Sequence, residues 1–221
     1  MKLNKTRIFY NLKDETSDER WPIVSFVGLG DKNAKFSARE DLHLDRENIK
    51  KAIATGIESI RKSGAKISRI VLDDCDGNYE LVGETVGLAT YSYKDYVDLQ
   101  KKQTESPTFE FDKASPDEEE LYKRGLKLAN LQNVSRLLSE TPANLTTPTR
   151  IAEFAQQFAK KNGVQVTVHD RAWAEKMKMG SFLSVARGSC EEPLFVELHY
   201  QHEHCKDQKP IVFVGKGVCT L

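Results

Sequence analysis

Apolar positions along this chain fall into blocks of two different periods. Thr6–Leu12 and Ile23–Leu29 are apolar, β-branched and aromatic runs, and they predict strands. From Glu47 to Ser63 the period changes. Ile49, Ile53, Ile57 and Ile60 fall on one helical face, and Gly64 follows where a helix end favours glycine. Ile67–Leu72 predicts a short strand. Leu81–Tyr91 predicts a helix that Gly83 and Gly87 weaken. Gln100–Lys113 is polar apart from a predicted strand at Thr108–Phe111.

Ser115-Pro116-Asp117-Glu118-Glu119-Glu120 predicts a helix start: serine caps, proline fits the first turn, and the acids face the positive end of the dipole. Leu121, Leu128, Leu131 and Leu138 then form one stripe with Val134 beside it, carrying the helix to about Ser139. At ~1.5 Å per residue this helix spans about 36 Å, enough to join two domains. Thr141–Pro148 holds two prolines and predicts a turn, after which Thr147 caps and Pro148 opens a helix ending near Asn162-Gly163. Its stripe is Ile151, Phe154, Ala155 and Phe158. Val164–His169 predicts a strand, Asp170 caps a helix through Met177, and Leu194–Tyr200 and Ile211–Val214 predict two more strands. The alternation of strand and helix implies α/β layers with a mixed or parallel sheet. There is no internal repeat.

Composition removes several function classes. The 33 basic and 33 acidic side chains cancel. They also balance locally: residues 1–110 carry 18 basic and 19 acidic groups, and residues 111–221 carry 15 and 14. No basic excess exists to neutralise phosphates or anionic lipid, so neither nucleic acid nor a membrane is an expected partner. The longest stretch without charge is Trp21–Gly30, far short of the ~20 apolar residues of a spanning helix. No apolar segment follows the polar start Met1–Arg7, and Cys75, Cys190, Cys205 and Cys219 form no CxxC. A reduced, intracellular, cytoplasmic protein is the expectation.

Candidate chemistry is sparse. Gly28-Leu29-Gly30 follows a strand, but position 33 is Asn where a dinucleotide fingerprint needs its third glycine, so a strand-end turn is expected. Gly215-Lys216-Gly217 is no phosphate loop, because neither Ser nor Thr follows the lysine. His199, His202, His204 and Cys205, with Cys190 nearby, offer zinc-type donors. Their spacing fits no structural zinc pattern, and a solvated hairpin loop before Pro210 is the preferred reading. Lys216 is the sharper residue. It follows the apolar run Ile211–Val214 between two glycines, at the end of a predicted buried strand, where α/β sheets keep their sites.

Several blocks together resemble the leucyl aminopeptidase (cytosol aminopeptidase) family of dinuclear metallo-exopeptidases. They are Lys5–Tyr10, Val27–Gly30, Glu140-Thr141-Pro142-Ala143-Asn144 with Thr147-Pro148-Thr149, Met179–Ser189, and Val214-Gly215-Lys216-Gly217-Val218. The resemblance implies a small N-terminal α/β domain over residues 1–115, a connecting helix over 116–140, and over 141–221 the opening part of an α/β mixed-sheet catalytic domain. It also implies hexamers and removal of N-terminal residues, leucine favoured, from peptides with two divalent ions (zinc, manganese or magnesium). Lys216 occupies the position of the family's metal-ligating lysine. It is the one family ligand expected here, and no catalytic or cofactor-binding residue is assigned.

After Val218 the chain reads Cys219-Thr220-Leu221, where the family motif continues to a metal-binding aspartate, a second lysine and further carboxylates. The start is also shorter than in the family. The resemblance is therefore to a family member cut at both ends, as a splice product, mis-assembled gene, pseudogene product or engineered fragment would be. One lysine cannot hold two divalent cations, so the chain alone is expected to bind no metal stably and to be inactive. The alternative is a non-catalytic truncated isoform that acts as an interaction or regulatory module, as a homo-oligomer or with full-length subunits.

Overall fold

The computed structural model describes residues 2–13, 20–31, 33–64, 69–72, 77–93, 108–111, 115–205 and 208–218. The chain separates into two compact units, Met1–Leu137 and Leu138–Leu221. Its architecture is mixed α/β, and its described strands form two-stranded pairs, three antiparallel and one parallel.

In the first unit, β1 (Thr6–Lys13) pairs antiparallel with β2 (Arg20–Val27), with Thr6 opposite Val27 and Lys13 opposite Arg20. Helix α1 (Leu44–Lys62) covers one face of this pair. Ser25 and Ser59 hydroxyls bond across at 2.7 Å. Gly56 lies so near β2 that an added Cβ would sit 3.2 Å from Val27 Cγ2. Gly64 ends α1 at φ +73°, the left-handed conformation that the sequence anticipates. A two-residue antiparallel pair, β3 (Phe36–Ser37) and β4 (Leu42–His43), precedes α1. β5 (Arg69–Leu72) and β6 (Thr108–Phe111) pair in parallel. Residues 67 and 68 of the expected strand fall outside the described residues.

The unit's core joins α1 to α2 (Tyr79–Thr90) and α3 (Pro116–Glu140). Ile57, Val82, Val86 and Tyr122 are buried there, and Ile53, Tyr79, Ala89 and Leu126 pack around them. The glycines that weaken α2 on propensity are what lets it form this core. A Cβ on Gly83 would run into the Tyr122 carbonyl, and one on Gly125 into the Glu80 carbonyl. A Cβ on Gly87 would lie 2.5 Å from that of Ala129. The two helices therefore meet backbone to backbone. This overturns the expected stripe of α3: Leu121, Leu128 and Leu131 are 39%, 39% and 53% exposed, while Tyr122, Gly125 and Ala129 are buried. Small residues win the contact because only they permit so close an approach.

The C-cap of α2 is Tyr91 and not a glycine, and its last turn carries no basic residue. Its carbonyls are met from neighbouring helices instead. Arg136 donates to Leu88 O at 3.1 Å, Asn133 to Gly87 O at 3.0 Å, and Arg61 to Ala89 O at 3.4 Å. The Arg136 guanidinium also lies 4.1 Å from the centre of the Tyr91 ring.

In the second unit, Thr147 accepts from the Arg150 amide and opens α4 (Pro148–Asn162), which Gly163 ends at φ +67°. β7 (Gln165–His169) pairs antiparallel with β8 (Phe195–His199), with Gln165 opposite His199. Asp170 caps α5 (Arg171–Lys176) by accepting from Trp173 N at 2.9 Å. Helix α6 (Gly180–Ala186) follows; the sequence reading gave it no element.

The run Ile211–Val214 is not a strand. It has no regular secondary structure, and its four residues are 83%, 74%, 92% and 94% exposed. Its β propensity has no expression because no described strand lies beside it to complete a hydrogen-bonded ladder.

Candidate functional site: the region of Lys216

Lys216 lies in the exposed segment that follows Val214, not at the end of a buried strand. An added Cβ on Gly215 or Gly217 would meet nothing within 4 Å, so neither glycine serves a close approach. Two shallow surface depressions of about 550 and 310 Å³ occur on the first unit, one along α3 and one between α1 and α2, and neither contains Lys216.

The histidine and cysteine residues are not brought into a donor set. His199 ends β8, whereas Glu203–Cys205 forms one turn of 3₁₀ helix. The rings of His202 and His204 stand 5.0 Å apart, and His202 Nδ1 accepts from the His204 amide at 3.4 Å. Cys190 and Cys205 are exposed free thiols. Among the described residues no group of three or more His, Cys, Asp or Glu side chains could hold a metal ion.

The other blocks singled out in the sequence are structural here. Gly28 is buried, donates to Lys5 O at 2.9 Å and accepts from the Asn4 amide at 3.2 Å, closing the end of the β1–β2 pair. Gly30 has φ +87°, where a side chain would be strained, and its Cβ would lie 3.1 Å from Leu3. The Thr141–Pro148 turn closes on Pro142 O, which accepts from the amides of Leu145 and Thr146 at 2.9 and 3.1 Å. Met179–Ser189 becomes α6 and the turn behind it.

One polar and aromatic cluster escaped the sequence reading. His169 stacks on Trp173 with centroids 3.9 Å apart, and its Nε2 lies 3.2 Å from Glu197 Oε2. Phe195 stacks on Trp173 at 5.4 Å, and Phe182 meets Phe195 edge-on at 6.2 Å. The cluster joins β7, β8, α5 and α6. The signal was a histidine at the end of one strand, an aromatic at the start of its partner, and tryptophan four residues after the histidine.

A two-metal centre needs several oxygen or nitrogen donors converging on one point. The described residues do not fit one: Lys216 is exposed, and among them no group of three or more His, Cys, Asp or Glu side chains could hold a metal ion. Among the described residues no helix is long and apolar enough to cross a membrane.

Two family profiles match the chain in order. The cytosol aminopeptidase family, N-terminal domain, matches residues 2–98, and the cytosol aminopeptidase family, catalytic domain, matches residues 133–220. Cytosol aminopeptidase of Homo sapiens is 37% identical over 220 residues, which is 99% of this chain and 40% of that protein. The Bos taurus protein is 36% identical over the same shares, and that of Dictyostelium discoideum is 32% identical over 98% of this chain and 41% of its own. Among solved structures, the bottromycin maturation enzyme BotP superposes with a TM-score of 0.66 at 23% identity, over 90% of this chain and 41% of that one. BotP in complex with Mn gives 0.66 at 24% identity, over 91% and 40%. These structural likenesses show the fold. The chain spans about 40% of the length of the relatives it matches.

Proposed function

Since the chain belongs to the cytosol aminopeptidase family, we propose that its residues form part of a metal-dependent peptidase that removes N-terminal amino acids, leucine favoured, from peptides in the cytoplasm. In this reading residues 1–115 are the small domain, 116–140 the helix that leaves it, and 141–221 the opening of the catalytic domain. The observation that carries it is the ordered match of both family profiles, with the Gly215-Lys216-Gly217 segment inside the second. Two divalent ions, zinc, manganese or magnesium, would supply the hydrolytic chemistry in the family. The described donors do not hold them, so no catalytic step is assigned to any residue here.

A polypeptide of these 221 residues is therefore expected to show no turnover of a leucyl chromogenic substrate with added Mn²⁺. Turnover that stays with the pure chain, after any full-length relative is removed, overturns that donor argument. The donor set also favours a second, non-catalytic reading. In it these residues act as an interaction module, as a homo-oligomer or joined to full-length subunits. Titrating the chain into a full-length cytosol aminopeptidase separates the two. A mixed assembly with altered activity supports the module, and no association over micromolar concentrations counts against it.

A further inference from the structure

We propose that Asn162-Gly163 is a spontaneous modification site: the asparagine loses its side-chain amide when the C-terminal cap of α4 opens and is held intact while the cap is closed. It is the one Asn-Gly pair in the chain. Glycine has no Cβ to shield its own nitrogen, so that nitrogen reaches the preceding carboxamide more readily than one beside a side chain. The Gly163 nitrogen gives its proton to water or hydroxide and attacks Asn162 Cγ. The new C–N bond closes a five-membered succinimide, and ammonia leaves. Water then opens the ring at one carbonyl or the other, giving isoaspartate or aspartate. One water is consumed and one ammonia released, and nothing is oxidised or reduced.

The closed cap keeps both reacting groups occupied. The Gly163 amide donates to Ala159 O, and the Val164 amide joins it there at 3.1 Å. The Asn162 side chain turns back along the helix, as helical side chains do, and its Nδ2 donates to Phe158 O at 2.7 Å. Nucleophile and electrophile are thus each held to a carbonyl of the preceding turn. Every atom involved lies between Phe158 and Val164, so the gate belongs to the end of α4 itself. Both products oppose reclosure. Aspartate puts an acceptor where Nδ2 donated to Phe158 O, and a negative charge at the negative end of the helix dipole. Lys160 and Lys161 beside it are exposed and offset little of this. Isoaspartate adds a methylene to the main chain, which breaks the spacing of the cap. Reaction during an opening therefore leaves a lasting mark on α4.

The test incubates the full 221-residue chain in neutral buffer and, in parallel, in guanidinium chloride. Mass spectrometry follows the peptide that holds Asn162, with its aspartyl and isoaspartyl forms separated by chromatography. Conversion should be about tenfold or more slower in the native chain, because only the open fraction reacts. Lys160→Gly, at an exposed position in the last turn, leaves both reacting groups in place and weakens the helix through propensity. It should speed native conversion about threefold to fivefold and leave the rate in guanidinium unchanged. Asn162→Asp, which makes the aspartyl product directly, should exchange the amide hydrogens of Gly163 and Val164 faster than the parent. Equal rates in the two solvents, no conversion in guanidinium, or a native rate indifferent to Lys160→Gly overturns the proposal. Equal protection of those two amides in Asn162→Asp overturns the lasting mark.

Discussion

Glu118 closes the N-terminus of α3 through three contacts with one residue. Its Oε2 accepts from the Ser115 amide at 2.7 Å and from the Ser115 hydroxyl at 2.8 Å, and its own amide donates to Ser115 Oγ at 3.4 Å. The Ser115 amide, then its hydroxyl, hold the Glu118 carboxyl below the usual carboxylate range. The folded value is thus lower than the unfolded value of about 4.3. The stabilisation is therefore present above about pH 4.3 and disappears as pH falls through the lowered folded value. Glu118→Gln should lower stability at neutral pH and lose this dependence, so parent and variant converge in acid. Helicity followed against pH for both chains checks this; a parallel offset at every pH would refute it. Lys216 is the contrasting residue. Lys216→Ala should change neither the thermal midpoint nor the Mn²⁺ or Zn²⁺ content of the 221-residue chain, because Lys216 is exposed and the described residues hold no His, Cys, Asp or Glu group able to bind a metal ion. Elemental analysis of both proteins after dialysis against each metal decides it.

At the scale of elements, α2 and α3 separate what sequence can reveal from what it cannot. The boundaries of α3 and α4 were legible because caps are local: Ser115, Pro116, Thr147, Pro148 and Gly163 each act within one turn. The buried face of α3 was not legible, because it depends on the partner. A leucine stripe reads as a core face until glycines on the facing helix demand backbone contact. The same holds at Ile211–Val214, whose pattern states a propensity but supplies no neighbour. Lys216 was offered as a metal ligand only by the family resemblance, and among the described residues no His, Cys, Asp or Glu group able to hold a metal ion stands in support of it. Gly83 yields a sharp test. Alanine would gain about 1 kcal/mol of helix propensity there. The obstruction is the Tyr122 carbonyl, which cannot rotate aside as a side chain could. Overpacking costs of about 1–3 kcal/mol add to the loss of backbone contact and win, so Gly83→Ala should destabilise by about 2 kcal/mol. Gly180→Ala, at a helical position with nothing within 4 Å, should be neutral or stabilising. Urea midpoints for the two variants should move in opposite directions, or only that of Gly83→Ala should fall.

Across the whole molecule, burial is unequal between the two units. The first owns every large apolar side chain with under 4% exposure among the described residues: Ile57, Val82 and Val86, with Leu81 and Tyr122 close behind. Among the described residues the buried apolar ones of the second are Ala152, Ala159, Ala174 and Pro193. Full burial of a Val, Leu or Ile side chain contributes roughly 1.5–3 kcal/mol, and an alanine offers one methyl group. Conformational entropy costs about the same per residue in both units, so the second has less to set against it. Its aromatic cluster is partial compensation, since stacked pairs such as His169–Trp173 add about 0.5–1.5 kcal/mol each. Residues 5–139 should thus form the more stable part and 141–221 the part that opens first. Opening of the second unit draws on the Glu140–Thr147 turn, whose exposed residues offer a protease its first extended site. Limited proteolysis should cut first after about Thr141 and leave an N-terminal fragment that keeps its helical circular dichroism. Amide exchange should be slowest at Val82 and Val86 and faster throughout 148–199. Equal protection of the two halves, or a first cut within α2, would show that the alanine contacts and the aromatic stack hold the second unit as firmly as a large apolar core holds the first.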